Sequence, residues 1–101
     1  MKIIWTDFAI QNLKAIFDYH VENATKKVAH KIKNEIFKAT KQLIKHPDSG
    51  QVEPNLYFFQ QNHRYLVCGN YKIVYKVFEH QIIINDVFDT RQNPDKIAKG
   101  I

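Results

Sequence analysis

Between His63 and Gln92 the apolar and polar positions follow a period of two, interrupted twice. Gly69-Asn70 separates one apolar run from Tyr71-Lys72-Ile73-Val74-Tyr75-Lys76-Val77, and Glu79-His80 separates that run from Gln81-Ile82-Ile83-Ile84. Gly followed by Asn is a two-residue hairpin signal, because Gly adopts positive φ without a Cβ clash. The pattern predicts three antiparallel strands, with Tyr71, Ile73, Tyr75 and Val77 on one face of the middle strand and Lys72, Val74, Lys76 and Phe78 on the other. A meander this rich in Val, Ile and Tyr needs a covering layer.

The first half of the chain offers that layer. Lys2-Ile3-Ile4-Trp5 reads as a short strand, and Thr6 as the N-cap of a helix over Asp7 to Glu22, where Ala9, Ile10, Leu13, Ile16, Phe17 and Val21 recur at helical spacing. His20 falls in the last turn, where an imidazole can bond free carbonyls. Asn23 is the next N-cap candidate, for a second helix to about Lys45, closed by His46-Pro47-Asp48-Ser49-Gly50. So short a link makes the helices an antiparallel hairpin. In the second helix Val28, Ala29, Ile32, Ile36, Ala39 and Leu43 form one stripe, Lys27, Lys31, Lys38, Lys41 and Lys45 the opposite one, and Phe37 and Ile44 lie outside both. Residues 51–62 are harder to read: Leu56-Tyr57-Phe58-Phe59 fits a strand, a lid over the core or an exposed apolar patch.

The resulting expectation is a single α+β domain over residues 1–101, β-α-α-β-β-β in order, with the helical hairpin packed on a three- to four-stranded antiparallel sheet. Composition agrees: 45% hydrophobic and 25% charged residues belong to an ordinary globular chain. The apolar runs are too short for a signal peptide or a spanning helix, so the expected setting is the cytoplasm, with no membrane partner. The net charge of +5 is concentrated: residues 24–46 carry seven lysines against Glu35, a local net of +6, which leaves −1 for the rest. A solvated helix face accounts for this; an acidic partner, nucleic acid or polypeptide, is the sharper alternative.

Most catalytic templates fail. The chain has three glycines and one cysteine, and lacks a phosphate loop, a nucleophile elbow and zinc-ligand spacings, so neither a metal nor another cofactor is expected. Cys68 reads as a small buried hydrophobe. The pair Asp86 and Asp89 reads as a solvated strand end. What remains is a set of cations interleaved with aromatics, Arg64, Lys72 and Lys76 among Tyr65, Tyr71 and Tyr75, with Arg91 beyond the last strand. Such a surface can hold phosphates and stack bases, while an ordinary half-buried sheet shows the same alternation.

The opening Trp5-Thr6 before a helix, the Pro47-Asp48-Ser49-Gly50 turn, the Gly69-Asn70-Tyr71-Lys72-Ile73-Val74-Tyr75 strand and the Arg91-Gln92-Asn93-Pro94 ending, in this order, resemble the RelE/ParE superfamily of bacterial type II toxin–antitoxin toxins. The resemblance spans nearly the whole chain and implies a toxin held inactive by a cognate antitoxin. It opens two branches. In RelE-like ribonucleases, which cut messenger RNA on the ribosome, matching basic positions are Arg64, Lys72 in place of the usual Arg, and Arg91; the tail from Gln92 to Ile101 holds no Tyr or His to act as terminal acid or base. ParE-like toxins lack that set and act by binding DNA gyrase. The chain looks closer to this branch, with Arg64, Lys72, Tyr75 and Arg91 as target-binding candidates and Phe37, Lys41, Ile44, Leu56, Phe58 and Phe59 as antitoxin-binding candidates. A degenerate, non-toxic antitoxin-binding relative is the third expectation.

Overall fold

The computed structural model describes residues 1–100, and short local signals set its elements. Strand β1 (Lys2–Trp5) hands over directly to Thr6, the N-cap of helix α1 (Asp7–Asn23). The Thr6 hydroxyl oxygen accepts from the Ala9 N–H at 3.1 Å and donates to the Asn85 carbonyl at 3.3 Å, so one side chain starts the helix and ties it to a strand far along the chain. Helix α2 (Lys26–Lys41) is capped by Thr25, whose Oγ1 accepts from Val28 N–H at 3.1 Å. Asn23 does not cap it. The Ala24 N–H closes on the His20 carbonyl at 2.9 Å and prolongs α1, and the Asn23 amide donates to the Tyr19 carbonyl, also at 2.9 Å. The second helix also ends sooner than its periodicity predicts, tightening into a 3₁₀ turn at Gln42–Ile44. Near that point the buried Thr40 hydroxyl donates to the Phe37 carbonyl at 2.7 Å, a local bond that competes with regular helix geometry.

The remaining strands are β2 (Gln51–Val52), β3 (Arg64–Cys68), β4 (Tyr71–Phe78) and β5 (Gln81–Asp89), in one sheet of order β1-β5-β4-β3-β2. The α+β hairpin-on-sheet architecture is as predicted, but the sheet has five strands and is mixed. β1 lies parallel to β5, Lys2 opposite Gln81 through Trp5 opposite Ile84. Parallel neighbours require a crossover, which the helical hairpin begins. The segment after β2 is a 3₁₀ stretch, Pro54–Phe59, with Glu53 as its cap, and a second one follows β5 at Pro94–Gly100.

The sheet is apolar on both faces. Ile73, Tyr75, Ile82, Ile84 and Leu66 pack with Ala9, Leu13, Ile36 and Leu43 of the helical layer; Val74 and Phe88 pack the other way, against Leu56 and Ile97 from the two 3₁₀ stretches. Along β5 the inward positions shift from even to odd. Tyr75 is opposite Ile84 but Val74 is opposite Asp86, so Asn85 is an extra residue, a bulge that lets both Ile84 and Val87 face the helices.

Tyr75 joins the sheet to the turn after α2. It is fully buried; its hydroxyl donates to the Pro47 carbonyl at 2.7 Å and accepts from the Gly50 N–H at 2.9 Å. Arg64, opposite Tyr75 in register, donates from Nη1 to the Gly50 carbonyl at 2.8 Å. A Cβ on Gly50 would sit 2.6 Å from the Tyr75 hydroxyl oxygen and 2.8 Å from the Tyr65 carbonyl oxygen. Since that carbonyl belongs to a sheet strand and cannot give way, Gly50→Ala is expected to lower stability by about 1–3 kcal/mol, read as a lower denaturant midpoint with an unchanged slope.

Candidate functional site

A groove of about 600 Å³ lies between α1 and the end of β5. The bulge at Asn85 delivers Asp86 to it: the carboxylate is 2% exposed and accepts from Asn12 Nδ2 of α1 at 2.7 Å. Burial pushes the Asp86 carboxyl above the usual carboxylate range, with the Asn12 bond and a backbone bond from Val87 partly offsetting it. The expected solvated strand end is thus half wrong. Asp86 is buried; Asp89 is the solvated member, held below its ordinary pKa chiefly by hydrogen bonding to Arg91. Above them His20 sits 2.9 Å from the Tyr71 hydroxyl, a side-chain bond between α1 and β4 and not the helix-end carbonyl contact its position suggested. Burial, then Asp89, raises the Tyr71 phenol above its normal range, so it stays protonated at neutral pH.

The predicted cations do not converge. Arg64 lies on the helix-facing side, spent on the Gly50 carbonyl. Lys72 lies on the opposite face, bound to the fully buried Glu53 at 3.0 Å and set 4.1 Å over the Tyr65 ring. Arg91 lines the groove and grips its own neighbour, Nε to Asp89 Oδ1 at 3.0 Å and Nη2 to Oδ2 at 2.8 Å. This fork raises the guanidinium pKa further and leaves the side chain 58% exposed. Tyr75, named beside them as a target contact, is corrected: buried, with its hydroxyl used twice, it holds the turn. A ribonuclease constellation needs its cations around one phosphate, and these three occupy two faces and one strand end, each already engaged.

The candidate antitoxin contacts divide likewise. On α2 and its end, Lys41 is exposed, Phe37 and Ile44 are 39% and 44% exposed, and Phe37 rests against Trp5 with ring centroids 5.3 Å apart. Phe58 is 95% exposed, and Phe59 is also outside the core. Leu56 is corrected: at 1% exposure it belongs to the outer core and cannot meet a partner. Cys68 packs half-buried at the margin of the inner core, where burial and then Glu35 raise its thiol pKa. Among the described residues no group of three or more His, Cys, Asp or Glu is placed to hold a metal ion, and no helix is long and apolar enough to cross a membrane.

Sequence reasoning misread Asp86 as solvated and missed Asn12 and the His20–Tyr71 pair. A signal for Asp86 was present: it stands in Ile82-Ile83-Ile84-Asn85-Asp86-Val87-Phe88, and a carboxylate inside so apolar a run is buried more readily than solvated. The pairings with α1 join residues 74 and 51 positions apart, which no local pattern encodes.

A helical hairpin on one face of a mixed sheet, with a groove beside the last strand, makes this an α+β fold. The family comparison agrees: residues 3–94 match the model described as ParE toxin of type II toxin-antitoxin system, parDE, and the chain belongs to that family. A solved structure titled as the chromosomal ParDE TA system from P. aeruginosa shares the fold, with a TM-score of 0.72 over 88% of this chain and 95% of that one at 22% sequence identity. No curated relative matches the sequence.

Because Asp86 carries a raised pKa in the fold, its ionisation opposes folding above the ordinary aspartate range, and this cost is absent where the carboxyl is protonated in both states. Asp86→Asn, which keeps an acceptor for Asn12, is expected to raise the melting temperature at pH 7. The gain should vanish as pH falls below about 4, checked by thermal unfolding across pH.

Proposed function

We propose that this protein is a growth-inhibiting toxin that acts in the cytoplasm by binding its target, DNA gyrase, and that a cognate antitoxin neutralises it. The family membership supports the toxin role. The observation that carries binding over catalysis is the disposition of Arg64, Lys72 and Arg91, which stand apart with their charges or donors already engaged. A phosphoryl-transfer site would need free, convergent cations and a group able to move a proton near neutral pH. Here the Tyr71 phenol is pushed away from neutrality and His20 is engaged with it.

Arg91 is the residue best placed to meet the target. It is the most exposed of the three, it lines the groove beside β5, and Asp89 fixes its planar fork in one orientation. Lys72 and Arg64 contribute mainly by holding the Glu53 and Gly50 segments on the sheet. The antitoxin covers Phe37, Lys41 and Ile44 on α2 and the aromatic ridge at Phe58 and Phe59, joining apolar contact to the lysine-rich face. An acidic segment suits that face, since residues 24–46 carry a local net of +6.

The test is inhibition of gyrase supercoiling by the purified chain. Wild type is expected to inhibit, and Arg91→Ala to need at least about tenfold more protein for the same effect while keeping the wild-type melting temperature. Unimpeded supercoiling at saturating protein would remove gyrase as the target. Inhibition unchanged by Arg91→Ala would move the contact elsewhere.

A further inference from the structure

His63 is the residue the proposed function leaves unexplained. It sits just before β3 on the outer face of the sheet, is 2% exposed, and neither ring nitrogen has a hydrogen-bond partner among the described residues. Burying an imidazole with both nitrogens unused is costly, so the site is built for something that completes it. The ring borders a cavity of about 220 Å³ under the Pro54–Phe59 stretch, bounded also by Glu53, Leu56, Tyr57 and Asn62. This volume accommodates a short polar side chain and lies below the roughly 300–1,000 Å³ of ordinary ligand pockets.

The charges around it select the sign of the occupant. Glu53 is buried but spent: Oε1 accepts from Lys72 at 3.0 Å, and Oε2 accepts from the Asn55 backbone and side-chain amides at 3.2 and 3.3 Å. From β4, Lys76 acts on the His63 ring as a cation, and among the described residues its ammonium has no carboxylate partner but bonds the neutral Gln61 side chain at 2.6 Å. The 3₁₀ stretch above contributes Tyr57 and no charge. The balance is one positive charge beside an imidazole with an unused N–H, which complements an anion. Around the opening Tyr57 is 75% exposed and Val52 of the edge strand half exposed, beside the exposed polar side chains of Gln60 and Asn62, and Phe58, 95% exposed, follows Tyr57 along the 3₁₀ stretch, so the rim is mixed, with its apolar part at Val52 and Tyr57.

We infer that this cavity is a carboxylate site, filled by an Asp or Glu side chain of a protein partner whose flanking apolar residues lie on Tyr57 and Phe58. The rim decides the source: a free small acid would use the cavity and leave the aromatic ridge uncovered, whereas an acidic residue between apolar ones covers both. The inference deepens the proposed antitoxin contact at this ridge and rests on it for the source of the carboxylate. Binding has a proton signature. In the free protein, burial and Lys76 hold the His63 pKa below its ordinary value, so the ring is neutral. A carboxylate against the ring favours the imidazolium, so the complex takes up a proton and affinity falls as pH rises from about 6 to about 8.

The experiment follows the His63 ring nitrogens of the wild-type chain by NMR, titrating three probes at pH 6 and pH 8: acetate, the blocked peptide acetyl-Leu-Glu-Leu-amide and its Gln counterpart. Acetate is expected to perturb the ring and raise its pKa; the Glu peptide should do so about tenfold more tightly than acetate or the Gln peptide, and more tightly at pH 6. An undisturbed ring at about 100 mM acetate with no Glu-peptide effect overturns the site. Equal affinity of the two peptides overturns its carboxylate chemistry, and equal affinity of acetate and the Glu peptide overturns the polypeptide source. Gyrase inhibition is read separately on the same protein, so any of these failures leaves the toxin reading to its own assay.

Discussion

Ile73, Tyr75, Ile84 and Val87 point toward the helices, while Val74 and Phe88 in the same two strands point away, so both faces of the central sheet must be covered. The helical hairpin covers the first with full-length amphipathic helices. The second has only two short 3₁₀ stretches, and these bury Leu56 and Ile97 at the cost of leaving Tyr57 and Phe58 in solvent. Several buried polar groups lie where one of these covers meets the sheet. Glu53, His63 and Lys72 sit beneath or beside the first 3₁₀ stretch, and Asp86 with Asn12 sits at the edge that β5 exposes once β1 ends.

This geometry also keeps apart basic residues that are regularly spaced in sequence. Strand alternation places Arg64 and Lys72 on opposite faces, and each is recruited to pin a segment that would otherwise lift: Arg64 the turn at Gly50, Lys72 the cap at Glu53. A buried carboxylate such as Glu53 requires a partner, so the Lys72 ammonium is committed before any phosphate arrives. Arg91 is different. Its partner Asp89 is on the surface, the pair is solvated, and a competing ligand can share the guanidinium at little cost.

Much of the fold was legible because its signals are local. Lys2 to Trp5, the Thr6 cap, the turn at Gly69-Asn70 and the strand pairing it directs need only neighbouring residues to be read. The parallel pairing of β1 with β5 was not legible, since its register is fixed by a crossover and not by a turn. Asn23 and Thr25 are both good caps, and the choice between them depends on how far α1 continues, which tertiary packing decides. The site was less legible still. Tyr75 has the sequence context of an exposed aromatic among lysines, yet its hydroxyl is fixed by Pro47 and Gly50, contacts 28 and 25 positions away. Leu56 and Phe58 look equivalent in Leu56-Tyr57-Phe58-Phe59 until a 3₁₀ path turns one in and the other out.

Binding without RNA cleavage is the central element of the proposed function. The direct measurement is primer extension on messenger RNA engaged by translating ribosomes, with the purified chain added in excess. Transcripts are expected to remain intact, since Arg64, Lys72 and Arg91 do not converge on one phosphate and each is already engaged. New 3′ ends within the reading frame, lost on Arg64→Ala, Lys72→Ala or Arg91→Ala, would contradict it.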